Sequence, residues 1–137
     1  MPAKTGLQTP AAQQMRVLEG FAPIPDDLLL EHGGRLAEGR IAYRLAGVPG
    51  APIVGVLGGI SADRIVAAEE QDAERGWWEW MVGIGNPIDP RVHQVLSIDY
   101  LFGPGESSGV VMKMSGAIGA SDPVAVPLVT PLDQART

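Results

Sequence analysis

Six consecutive apolar residues, Pro52-Ile53-Val54-Gly55-Val56-Leu57, run directly into Gly58-Gly59. A run without wet-and-dry alternation predicts a strand covered on both faces by helices, the usual condition of a parallel sheet. The glycine pair places a tight turn at the strand's carboxyl end, which is where open α/β sheets bind ligands. The expected fold class is therefore α/β.

Upstream, Gly34 to Ala46 alternates apolar and polar residues around Glu38-Gly39, as a half-buried antiparallel hairpin would, with Ile41, Tyr43 and Leu45 on one face. Pro23 and Pro25 restrict the stretch from Val17 to Leu30 to an edge strand at most. Residues 1–16 mix Ala, Gln, Thr and Pro without a period and are expected to be a flexible lead-in, leaving 17–137 as the folded part. Downstream, Trp77, Trp80 and Met81 fall at helical spacing and predict a short helix. A second strand is expected at Val92 to Leu101, a glycine-rich exit at Phe102 to Gly109, and a short strand at Val124 to Val129. Thr130-Pro131-Leu132-Asp133 opens a helix, with Thr as N-cap, Pro at the first position and Asp at the third. So short a helix before Thr137 could bury little, so the chain is expected to be cut within a domain.

Composition narrows the function classes. With 18 glycines and 12 prolines the chain is rich in turns, and 45% hydrophobic against 19% charged residues fits a globular protein. A net charge of -6 without basic clusters gives no footprint for nucleic acid or an anionic membrane. The absence of cysteine removes disulfides, thiolate metal sites and thiol nucleophiles. No signal-peptide core and no apolar run of membrane-spanning length is present, so a soluble, cytoplasmic protein is expected.

Among residues that could carry chemistry, Gly105-Glu106-Ser107-Ser108-Gly109 matches the nucleophile-elbow pattern G-x-S-x-G. Gly103-Pro104 separates Ser107 from its strand, and both histidines, His32 and His93, precede it, whereas that pattern requires a later histidine. A Gly/Ser loop at a strand end is the preferred reading. Two histidines without cysteine form no recognisable metal-ligand spacing, and no metal is expected. Asp26, Asp27, Glu69 and Glu70 read as solvated surface, and Trp77, Trp78 and Trp80 as packing. Gly58-Gly59-Ile60-Ser61 supports two readings: backbone N–H groups offered to a ligand, or a turn that needs glycine for conformational freedom alone.

Three blocks resemble the homoserine O-acyltransferases of the α/β-hydrolase superfamily: Gly34 to Leu45, Pro52 to Asp63, and Gly76-Trp77-Trp78-Glu79 through Met81-Val82-Gly83, Gly85, Ile88-Asp89 and Val95 to Leu101. The resemblance implies an incomplete α/β-hydrolase fold, an amino-terminal antiparallel hairpin leading into parallel strands and stopping before the nucleophile elbow. It implies acyl transfer from acyl-CoA, through a serine, to the hydroxyl of L-homoserine on the route to methionine, with no cofactor and a homodimer at full length. The Ser/Asp/His triad is not in this chain, so these residues alone are expected to be inactive and poorly soluble. Ile60 would lend its backbone N–H to the oxyanion hole, and Gly59, Ser61, Ala62 and Asp63 would form the acyl-donor specificity loop. Acetyl-type members read Leu-Thr-Gly-Asp there and succinyl-type members Leu-Ser-Pro-Asp. Ile60-Ser61-Ala62-Asp63 leans to succinyl through Ser61 and matches neither at Ala62. An esterase of the same fold and a non-catalytic binding module are the alternatives.

Overall fold

The computed structural model describes residues 14–36, 38–69, 72, 75–108 and 128–137. The expected lead-in through Gln13 and residues 124–127 of the expected strand lie outside the described residues, while Leu128 and Val129 are not in a strand. Among the described residues four strands, β1 (Arg16–Pro23), β2 (Arg40–Gly47), β3 (Ile53–Gly55) and β4 (Gln94–Ile98), precede one helix, α1 (Pro131–Arg136). They form one sheet in the order β1-β2-β4-β3. β1 and β4 each run antiparallel to β2, and β3 lies parallel to β4.

The register fixes the faces. Leu45 lies opposite Leu96 and Tyr43 opposite Ile98, so the expected Ile41, Tyr43 and Leu45 side also carries Leu96 and Ile98. On this side Ile24, Ile41 and Leu101 form one buried cluster, joined by Ile98 and Val129. On the other, Val56, Val66, Val82 and Val95 form a second cluster, against which Val54, Trp78 and Ile88 pack. The segment between β3 and β4 thus covers one face, and the loop after β1 covers part of the other.

Several local expectations are corrected. The antiparallel partners of β2 are β1 and β4, not residues 34–36, because the Glu38-Gly39 turn closes a longer loop. Ile24 N–H donates to Gly39 O at 2.7 Å, and a Cβ on buried Gly39 would sit 3.2 Å from Ile24. The turn signal therefore marks the start of β2 instead of a hairpin tip. Leu30 is buried in that loop instead of in a strand. The run of β3 and the residues just after it is wet on one face: Ile53 is 58% and Leu57 64% exposed, because among the described residues β3 is an edge of the sheet and its cover lies on the Val54 and Val56 side. Residues Trp77 to Met81 form turns, not a helix. Gly83, at φ 155, and the bridge between Val82 and Ile88 turn the chain away after a single helical bond from Val82 N–H to Trp78 O.

Candidate functional site

Beyond β3 the ladder to β4 continues to Val56, whose N–H donates to Leu96 O at 2.8 Å, and the chain then turns at Gly59 to Ala62. Ala62 N–H donates to Gly59 O at 2.9 Å, which makes Ile60 and Ser61 the central residues of a four-residue turn. Among the described residues the N–H groups of Gly59 and Ile60 donate to no protein acceptor, and Ile60 is 72% exposed. Both glycines have φ outside the left-handed region, so the turn does not use glycine for conformational freedom. Gly58 is required for close approach, since a Cβ there would meet Ala62 Cβ at 2.4 Å and the Trp77 ring at 2.9 Å. A Cβ at Gly59 would meet nothing within 4 Å.

The turn is held from three sides. Tyr100 O–H donates to Gly58 O at 2.9 Å, and Trp77 Nε1–H donates to Asp63 O at 2.9 Å. The Asp63 carboxylate accepts Ile65 N–H at 2.8 Å, a local Asx turn that occupies one of its oxygens. Arg64 N–H donates at 2.7 Å to Asp99, which is 0% exposed. Ser61 is exposed and Ala62 packs toward Gly58, so the expected specificity loop is one continuous turn. Beside it Leu57, Gly58, Ile60, Tyr100, Pro131 and Gln134 contribute to a cleft of about 390 Å³ between the end of the sheet and α1.

Charge behind the turn is paired. Arg64 reaches Asp99 at 2.5 Å, Glu19 at 3.3 Å, and Glu106. Burial pushes the Arg64 guanidinium down, but Asp99, Glu106 and Glu19 outweigh it, so Arg64 stays cationic. Buried Arg44 bridges Glu19 at 3.1 Å and Asp72 at 2.7 Å. Burial raises the Asp72 carboxyl, and hydrogen bonds from Glu69 N–H and Arg44 more than reverse that, holding it below the usual carboxylate range.

Ser107 is buried and its hydroxyl is fully used, donating to Asp99 O at 2.6 Å and accepting Ala42 N–H at 2.8 Å. His93 precedes the amino end of β4 while Ser107 binds just past its carboxyl end; the five residues of β4 put about 16 Å between them. Among the described residues neither histidine is a hydrogen-bond partner of Ser107. Trp78 packs on the valine cluster, stacked on Trp77 with centroids 5.9 Å apart, while Trp80 meets Trp78 edge-on and is 69% exposed. Among the described residues no group of three or more His, Cys, Asp or Glu could hold a metal ion, and no helix is long and apolar enough to cross a membrane. Sequence reasoning missed Asp99, Tyr100 and Arg64 as supports of the turn. They lie 35 to 42 positions from their partners, and no short motif encodes such contacts.

No family model matches the chain. It is 43% identical over 75 residues to a homoserine O-succinyltransferase of Xanthomonas campestris pv. campestris, a match covering 55% of this chain and 20% of that protein. It is 38% identical over 84 residues to an L-serine/homoserine O-acetyltransferase of Streptomyces lavendulae, covering 59% and 22%. The chain thus matches about a fifth of the length of these curated relatives. Among solved structures, a homoserine O-acetyltransferase of Staphylococcus aureus superposes with a TM-score of 0.62 at 21% identity, over 71% of this chain and 28% of the other. An esterase superposes with a TM-score of 0.64 at 19% identity, over 87% and 35%. The described strands are therefore part of an α/β-hydrolase fold, and over somewhat more than half of its length the chain is similar in sequence to homoserine and serine O-acyltransferases.

Proposed function

We propose that this chain supplies the oxyanion-binding turn of an enzyme that moves an acyl group from acyl-CoA to the side-chain hydroxyl of L-homoserine, with L-serine as the neighbouring possibility, on the route to methionine. The observation that carries the reading is the exposed N–H pair of Gly59 and Ile60 past the carboxyl end of β3, which donates to no acceptor among the described residues. A nucleophile outside these residues attacks the thioester carbonyl, and the carbonyl oxygen becomes an anion. The Ile60 N–H, already fixed, stabilises that oxygen more than it stabilises the ground-state carbonyl. The thiolate of CoA leaves, and the amino-acid hydroxyl then attacks the acyl-enzyme through a second tetrahedral oxyanion. Ser61 favours succinyl over acetyl as the donor group. The 137 residues by themselves are inactive, since the Ser107 hydroxyl is engaged by Asp99 O and Ala42 N–H and bonds to no histidine among the described residues.

The test is CoA release by the full-length gene product supplied with succinyl-CoA or acetyl-CoA. The proposal expects release that depends on homoserine or serine, with a single-turnover burst when the amino acid is left out. Sustained hydrolysis of simple esters with no CoA release would overturn it in favour of an esterase.

A further inference from the structure

We infer that Asp99 is a positioning residue for the oxyanion-binding turn, acting through Arg64; the inference rests on the acyl-transfer reading of that turn. Asp99 stands just past β4 and is 0% exposed, yet its carboxylate accepts three hydrogen bonds. It accepts Arg64 N–H at 2.7 Å, the Arg64 guanidinium at 2.5 Å and Glu106 N–H at 2.8 Å. Its own carbonyl accepts the Ser107 hydroxyl at 2.6 Å, and Ser97 Oγ–H donates to Arg64 O at 2.6 Å. The loop after β4 closes round the carboxylate so tightly that a Cβ on Gly105, at φ 104, would lie 2.3 Å from it.

A buried charge held by three donors is a fixed point, and removing it leaves those donors without a partner. The turn hangs between such fixed points. Gly58 is tied to Tyr100, Asp63 to Trp77 and Arg64 to Asp99, so two of the three ties come from the end of β4. Gly59 to Ala62 spans the gap between them, closed by its own bond from Ala62 N–H to Gly59 O. A donor displaced by about 1 Å costs on the order of 100-fold in rate, so the tie at Arg64 bears on catalysis although Asp99 touches no substrate.

Two measurements on Asp99→Ala test this, since alanine removes the oxygen that accepts Arg64 N–H. In the full-length gene product the expected result is a fall in kcat of about 10- to 100-fold with KM for acyl-CoA changed less than about two-fold, since binding remote from the turn is kept. In the 137-residue chain, the Ile60 backbone order parameter is expected to fall from about 0.85 toward 0.6 or below. An Arg64→Met variant keeps the Arg64 N–H bond to Asp99 and is expected to lose less in both readouts. A folded Asp99→Ala protein with unchanged kcat and an equally rigid Ile60 overturns the inference. Absence of any CoA release by the unmodified protein sinks the acyl-transfer reading instead, and the order parameter still decides whether Asp99 holds the turn.

Discussion

Gly58 and Gly59 are neighbours under different constraints. Gly58 has no room for a methyl group against Ala62 and Trp77, whereas Gly59 faces open space. Gly58→Ala is expected to cost about 1–3 kcal/mol by overpacking, measured by denaturant unfolding, and Ala62→Gly in the same chain should recover part of it. Gly59→Ala should cost well under half as much. Ser107 makes the opposite point: it matches a catalytic pattern, while its hydroxyl is bonded to Asp99 O and Ala42 N–H. Ser107→Ala leaves Ala42 N–H and Asp99 O without their buried partner, a loss of about 1–3 kcal/mol. In the full-length protein it should lower stability while leaving an acyl-enzyme able to form; loss of covalent labelling by an acyl donor in a still-folded Ser107→Ala protein would show Ser107 to be the nucleophile after all. At this scale the order of His32, His93 and Ser107 in the sequence already spoke against a triad. The separate duties of the two glycines were not legible, because they depend on a tryptophan 19 positions away.

Among the elements, α1 was the most legible, because its start is set by local chemistry alone. Thr130 and Asp133 form a capping box, with Asp133 N–H donating to Thr130 Oγ1 at 3.3 Å and Thr130 N–H to Asp133 Oδ2 at 3.0 Å. Asp133 also accepts Glu31 N–H at 2.9 Å, and Gln134 exchanges two 3.0 Å bonds with the Leu101 backbone, tying the helix to the rest of the molecule. Thr130→Ala should destabilise the chain by about 1 kcal/mol. The N–H of Thr130, with Glu31 and the Thr130 hydroxyl, holds the Asp133 carboxyl below its ordinary value in spite of burial. A depressed folded pKa gives stability that is present above the unfolded value near 3.9 and is lost as pH falls through the folded value. The amide signals of Glu31 and Thr130 should therefore stay constant down to about pH 4 and move together below it; movement between pH 5 and 7 would contradict this. β2 was legible from its alternation, but its partner was not. Period-two patterning names a face, and only loop length and long-range packing choose the neighbouring strand.

For the whole molecule, the apolar run at 52–57 indicated the α/β class, and the strand it predicted does pair in parallel with β4. What it could not tell was how much of the run is dry, since burial belongs to the neighbours and not to the strand. Among the described residues β3 has a free edge bearing Ile53 and Leu57. Such an edge favours association, so the 137-residue chain should self-associate with rising concentration, and Ile53→Lys should suppress this in sedimentation experiments; equal association of both chains would place the contact elsewhere. The candidate site was legible as a backbone feature at a strand end. Its supports were not, because the sheet order β1-β2-β4-β3 brings them together from separate stretches. The central claim is that the Ile60 N–H binds an oxyanion. Ile60 is the second residue of its turn and has no left-handed φ, a position that accepts proline, so Ile60→Pro removes that N–H while keeping the backbone. Steady-state acyl transfer by Ile60→Pro in the full-length gene product, beside Ile60→Val, is the most direct measurement. A kcat lower by about 100- to 1,000-fold for proline alone, with an unchanged melting temperature, is predicted; near-equal rates in the two folded variants would contradict it.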